Sequence, residues 1–188
     1  MNGQDTGHYE VLDDEGHKTG KLLDRAAVHE QQLWHEVANV WIVNTKGEVL
    51  LQLRSPEVEL CPNVWDVAVG THVRPGEDPL AAAVRCLHSE LGIDILPASI
   101  RHLFNIQAAN PMSDGRKHRV LGHVFLLKQD VNPADITLDE HKIAKLAWKP
   151  MVEVMAEIGG TDTAKAYFPR EGTYYPRLFD ALQAEMSF

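Results

Sequence analysis

The side chains with the most chemical potential lie between Val69 and Ile93. Glu77 follows a Pro75-Gly76 turn, and Arg85, Cys86, Ser89 and Glu90 come after it at short spacing. On one helix, Cys86, Ser89 and Glu90 stand at i, i+3 and i+4 and share a face, with Arg85 beside them. A strand, a loop and a helix carrying carboxylates make a cradle for a hard divalent cation, which takes oxygen ligands. A glutamate and an arginine on a solvated helix face would read the same way, so the residues alone leave both readings open. Gly159-Gly160 is not a phosphate loop, because no lysine follows at the required spacing.

The elements that position these groups follow from local pattern. Asp78 is an N-cap, Pro79 suits the first helical position and Gly92 is the stop, which predicts a helix over 79–91. Leu80, Ala83, Val84, Leu87 and Leu91 form its apolar stripe, with Glu90 pointing the other way. Ahead of it, 9–12 and 17–23 read as a hairpin, 25–34 as a polar connector, 37–43 and 48–54 as a second hairpin, and 65–70 as one short strand. Beyond it come strands at 100–108 and 118–128 around a turn-rich stretch at 110–116, and another at 143–148. A helix runs from near Pro150 to just before Gly159, and a docked terminal helix spans 174–186. That last helix places Tyr175, Leu178, Phe179, Leu182 and Met186 on one face. Trp41 and Trp65 read as core. The order of elements, not in strict alternation, predicts a mixed sheet covered by helices.

Composition narrows the function classes. The chain has 188 residues, 44% of them hydrophobic, enough for a core in a single domain. Its apolar runs are too short to span a bilayer, and the polar N-terminus does not read as a signal peptide. Cys61 and Cys86 are too few for a disulfide framework, which points to a cytoplasmic protein with free thiols. With 18 Lys and Arg against 27 Asp and Glu, the net charge is −9, which disfavours nucleic-acid backbones but not a small phosphorylated ligand.

The segment Thr71-His72-Val73-Arg74-Pro75-Gly76-Glu77, followed by Arg85 and Glu90-Leu91-Gly92-Ile93, resembles the signature box of the Nudix hydrolase superfamily. Glu77, Arg85, Leu87, Glu90, Gly92 and Ile93 match; Thr71, Cys86 and Ser89 stand where the family has Gly, Glu and Glu. Residues 50–55 and 62–66, the opening hairpin, His29 and His35 are similar to the branch that includes isopentenyl-diphosphate isomerases and their hydrolase relatives. The resemblance runs from about residue 8 to 155.

That resemblance implies an α/β fold, a Nudix α/β/α sandwich with a mixed β-sheet. It implies one domain over 1–188, with a core at about 35–155, an N-terminal hairpin at 8–23 and a C-terminal helix at about 174–186. The implied activity is cleavage of a diphosphate bond in a nucleoside-diphosphate-linked or similar small molecule by a divalent-metal-dependent diphosphohydrolase. Glu90, Arg85 and Glu77 are the implied catalytic set, with Glu77 paired to Arg85. Glu90, the Gly70 carbonyl, His72, His29 and His35 are the implied metal ligands. Arg54 and His118 are the implied substrate contacts. The ion is Mg2+ or Mn2+, or Zn2+ if His29, His35, His72 and His118 converge. The implied partner is a small-molecule diphosphate, not nucleic acid or a membrane, and a homodimer is left open. Cys86 and Ser89 remove two box carboxylates, so weak hydrolysis is expected. An isomerase is the alternative, opposed by Gly70 and Val120, which lack the thiol and carboxylate that its proton transfers need. A silent domain that binds a phosphorylated ligand is the other.

Overall fold

The computed structural model describes residues 7–112 and 114–186. Residues 1–6 of the polar N-terminus, Ser113 in the 110–116 turn and the side chain of Met186 lie outside the described residues.

The chain opens with the expected hairpin, β1 (His8–Leu12) and β2 (Lys18–Asp24), as a sheet of its own. The polar connector contains a short helix, α1 (Arg25–Glu30). The Asp24 carboxylate starts it by accepting the Ala27 N–H at 2.7 Å. Seven further strands form one mixed sheet. They are β3 (His35–Val43), β4 (Glu48–Arg54), β5 (Trp65–Val67), β6 (Val69–His72), β7 (Ile100–Pro111), β8 (Lys117–Lys128) and β9 (Ile143–Pro150). Three helices cover it: α2 (Pro79–Leu91), α3 (Met151–Gly159) and α4 (Tyr174–Met186).

Alternation along β3 assigns the two faces. Ala38, Val40 and Ile42 pack with Ala82, Ala83, Leu87 and Leu91 of α2. Trp41 and Val43 pack with Met151 and Val154 of α3 and with Tyr174, Leu178, Phe179 and Leu182 of α4. The result is the expected α/β/α arrangement around a mixed sheet.

A fork in the sheet positions the site. β3 pairs with β4 only at Ile42↔Leu50 and Val43↔Val49, and then the two strands part. On the side they open, β5 continues along β4 through Leu51↔Val67 to Leu53↔Trp65, while β6 continues along β3 through Val37↔His72 to Val40↔Val69. The single strand expected over 65–70 is therefore two, changing partner at Ala68. The run Val67-Ala68-Val69 is apolar throughout, so nothing local marks the change.

Helix α2 begins and ends where its caps dictate. Asp78 accepts the Leu80 N–H at 2.8 Å, and Gly92 takes a left-handed φ of 64°. Its inward face differs from the expected stripe. Ala82 and Cys86 are buried, whereas Leu80 and Val84 are only half-buried at its edge. Glu90 follows Cys86 by one turn, so it does not point away from the core; it is half-buried and faces the fork. In α4 Tyr174 is more deeply buried than Tyr175, because the Trp41 Nε1–H donates to the Tyr174 hydroxyl at 3.0 Å.

These faces predict opposite responses to truncation. Leu87→Ala should lower unfolding free energy by about 2–5 kcal/mol, whereas Ser89→Ala should change it by less than about 0.5 kcal/mol. Urea denaturation of both variants checks the assignment, and equal losses would contradict it.

Candidate metal centre and cleft

Four histidines from four separate elements meet at the open end of the fork. His29 comes from the last turn of α1, His35 opens β3, His72 closes β6 and His118 is the second residue of β8. Register brings three of them together. Val37 pairs with His72 across the antiparallel β3–β6 ladder, and His35 pairs with Val120 across the parallel β3–β8 ladder.

One ligating nitrogen from each imidazole falls within 4.8 Å of the others. His29 Nε2 lies 3.2 Å from His72 Nε2, and His35 Nε2 lies 3.1 Å from His118 Nε2. A tetrahedral ion with metal–nitrogen bonds of about 2.0–2.1 Å spaces its ligands by about 3.3 Å. The two closest pairs already have that spacing. His35 Nδ1 lies 2.9 Å from the Leu33 carbonyl, which fixes its proton there and turns the Nε2 lone pair toward the cluster.

The electrostatics suit ligation. Burial, then the charge of His35, holds the pKa of His29 down to about 3. Burial holds His35 at about 4, although the Leu33 carbonyl opposes the shift. His72 and His118 are pushed well below the ordinary range by burial and by their imidazole neighbours. All four are neutral at pH 7, the form that binds a metal. Tyr9 lies over His72 with ring centroids 4.3 Å apart and 13° between planes, closing the outer side.

Glu77 and Arg85 form the fork–fork pair that the resemblance implied, at 2.7 and 2.8 Å. Burial opposes the charge on Glu77, but these bonds and the Arg74 N–H outweigh it and hold the carboxyl below its usual range. Arg85 Nη2 also donates to the His72 carbonyl at 3.3 Å. The pair therefore fastens the end of β6, and with it His72, to α2.

Glu90 is not among the converging ligands. Burial raises its pKa, partly offset by Cys86 and Lys142. Burial also pushes the Cys86 thiol far up, in the core beside Glu90 and Thr71. The helix face expected to hold magnesium thus carries one half-buried carboxyl and a core thiol, a poor donor set for a hard cation. His118, expected at the substrate, sits among the histidines. Gly70 lines the neighbouring cleft opposite Asn39.

That cleft encloses about 530 Å3 and is bordered by Arg25, Arg54, Lys142 and Arg170 as well as Glu90, His29, His72 and His118. Arg54 borders it but uses Nε and Nη2 on the Cys61 and Leu60 carbonyls, at 3.0 and 2.9 Å, which anchors the loop after β4. Cys61 is buried in that loop against Met112 and Phe168. Tyr9, Asp66 and Arg170 were not among the expected site residues. Phe168-Pro169-Arg170 carries no periodic or motif signal.

The NUDIX domain profile matches residues 33–170. The chain belongs to the Nudix family. It is 28% identical over 180 residues to Nudix hydrolase 3 of Arabidopsis thaliana, covering 94% of this chain but only 23% of that protein. It is also 28% identical over 136 residues to an isopentenyl-diphosphate Delta-isomerase of Pectobacterium atrosepticum, covering 70% of this chain and 74% of that one. The crystal structure of DR0079 from Deinococcus radiodurans superposes with a TM-score of 0.66 at 21% identity, over 94% of this chain and 98% of that one. The shared fold is the Nudix fold. Among the described residues no helix is long and apolar enough to cross a membrane.

Neutral buried imidazoles set a pH dependence. The unfolded chain takes up protons near pH 6.5, while His29 and His35 in the fold resist until about 3 and 4. Through that interval the unfolded state binds more protons, so stability rises with pH and falls on acidification. Chelator-treated protein should lose urea resistance as pH drops from 6.5 toward 4, and His35→Gln should flatten that slope. A slope unchanged by His35→Gln would contradict the assignment.

Proposed function

We propose that this Nudix protein hydrolyses a diphosphate bond in a small molecule, slowly, with a divalent ion held by His29, His35, His72 and His118. The observation that carries this reading is the convergence of four neutral imidazoles at the edge of a cleft bordered by four cationic side chains. An all-imidazole set suits zinc or another borderline transition metal better than magnesium. When bound, such an ion supplies Lewis acidity toward a phosphoryl oxygen.

The chain's own residues do the rest. Arg25, Lys142 and Arg170 bind and orient the polyanion, while Arg54 holds the loop beside them through the Cys61 and Leu60 carbonyls. Glu90, whose carboxyl burial makes easier to protonate, borders the same cleft. Glu77 and Arg85 are positioning residues, acting through the segment that carries His72. Tyr9 and the N-terminal hairpin exclude water from one side of the cluster.

A second reading, a phosphorylated ligand bound without turnover, is favoured by the single acidic residue left on the helix face and by the ammonium of Lys142 beside it. Isomerisation is disfavoured by Gly70 and Val120, which place no thiol and no carboxyl on the cleft wall.

A diphosphate panel assayed with zinc, manganese or magnesium tests the choice. Hydrolysis should be slow, highest with a transition metal, and lost in His72→Gln. Binding without product would support the second reading. Interconversion of isopentenyl and dimethylallyl diphosphates above background would overturn both.

A further inference from the structure

Deep in the cleft, one carboxylate serves two guanidinium groups. Asp66 Oδ1 accepts from Arg170 Nη2 at 2.6 Å and from the Val67 N–H at 2.8 Å, and Oδ2 accepts from Arg54 Nη1 at 3.5 Å. The side chains of Arg170 and Asp66 are only 6% and 7% exposed. Both arginines stay protonated, so the group carries one positive charge in excess, with Arg170 nearly shut off from water and Arg54 partly exposed. Burying an unbalanced charge is costly, and a structure that does so must compensate or expect a counter-ion. The rings of Phe168 and Tyr174, 5.0 and 4.5 Å from the Arg170 guanidinium, offset part of it.

Arg170 keeps one unmet donor beside its bonds to Asp66 and the Tyr175 hydroxyl. Arg54 is committed to two carbonyls and to Asp66. Arg170 Nε is buried and has no hydrogen-bond partner, although the residue borders the cleft. An unmet donor on a buried guanidinium costs about as much as a lost charged hydrogen bond. Stacking on two rings holds it in one orientation.

Its place is tied to the histidines. The next residue, Glu171, donates its N–H to Asn110 Oδ1 at 2.9 Å, and its carboxylate accepts the Ala109 N–H at 3.1 Å. Asn110 is the cross-strand partner of His118. The segment after α3 is thereby fastened to the end of β7, and it sets Arg170 in the cleft that His118 also lines.

We propose that Arg170, backed by Arg54 across Asp66, forms an oxyanion subsite that takes a phosphoryl group of the ligand beside the four histidines. A phosphoryl group offers several acceptor oxygens and at least one negative charge, matching the unmet Nε and the excess positive charge. The subsite deepens the diphosphate reading but does not depend on turnover, since it requires only that a phosphoryl group bind.

Calorimetric titration with pyrophosphate, on protein as purified and again after chelator treatment, tests it apart from metal binding and hydrolysis. Arg170→Gln should weaken pyrophosphate by about tenfold or more, the scale of a charge-assisted contact. Asp66→Asn keeps one acceptor oxygen but removes the negative charge that the two guanidinium groups share, and should tighten it severalfold. It is nearly isosteric, so it carries the test if Arg170→Gln does not fold. Malonate, a dicarboxylate of similar size, should bind at least about tenfold more weakly than pyrophosphate. Unchanged affinity in folded Arg170→Gln, no gain in Asp66→Asn, or malonate equal to pyrophosphate would overturn the subsite. Loss of pyrophosphate binding in Arg170→Gln with no hydrolysis in the parent protein would keep the subsite and sink only the hydrolase reading.

Discussion

Four imidazoles share a space in which none can be charged. Their ligating nitrogens lie within 4.8 Å of one another, and burial depresses every one of their pKa values. Lone pairs crowded this closely need either a proton or a metal between them. The structure around them denies any ring a second proton and keeps the geometry. The hairpin and α1 bring Tyr9 and His29, the Glu77–Arg85 pair tethers the end of β6, and the β3–β6 and β3–β8 ladders set the register. Tyr9 packs with Val11 and Val28 in a small cluster separate from the two main cores, and the hairpin also meets the sheet through Lys18 on Glu36 at 3.2 Å and through Gln107 on the Asp14 carbonyl at 2.8 Å.

The fork between β3 and β4 makes room for this. Strands that stayed paired along their length would fill the space where the cleft lies. Because β5 follows β4 and β6 follows β3, Gln52, Asp66, Asn39 and Gly70 border an opening instead of a continuous ladder. Polar side chains buried there, among them Asn39, Gln52, Asp66 and Asn110, are tolerable because they border a cavity suited to a polar ligand.

The limits of α2 were legible because its signals are local: a carboxylate cap, a proline in the first turn and a glycine with positive φ. The hairpins and long strands were legible from alternation and turn residues. The side of α2 on which Cys86 and Glu90 fall was not. Leu80 and Val84 are more apolar than Ala82 and Cys86, so hydrophobicity alone turned the stripe toward the wrong edge. The β5–β6 break was hidden because both neighbours of Ala68 are valines. The convergence of His29, His35, His72 and His118 came from resemblance, since no spacing in the chain brings together residues separated by up to 89 positions. Arg170 was invisible for the same reason: its ion-pair partner, Asp66, lies 104 positions away and is set by tertiary contact alone.

The proposed metal centre rests on the imidazoles of the sheet edge and not on the carboxylates of the helix. X-ray absorption at the zinc edge, on protein loaded with one equivalent of zinc, tests that claim most directly. The account predicts four nitrogen neighbours at about 2.0–2.1 Å, with the outer-shell scattering of imidazole rings. A shell dominated by oxygen, unchanged by His35→Gln and altered by Glu90→Gln, would place the metal on the helix and contradict it.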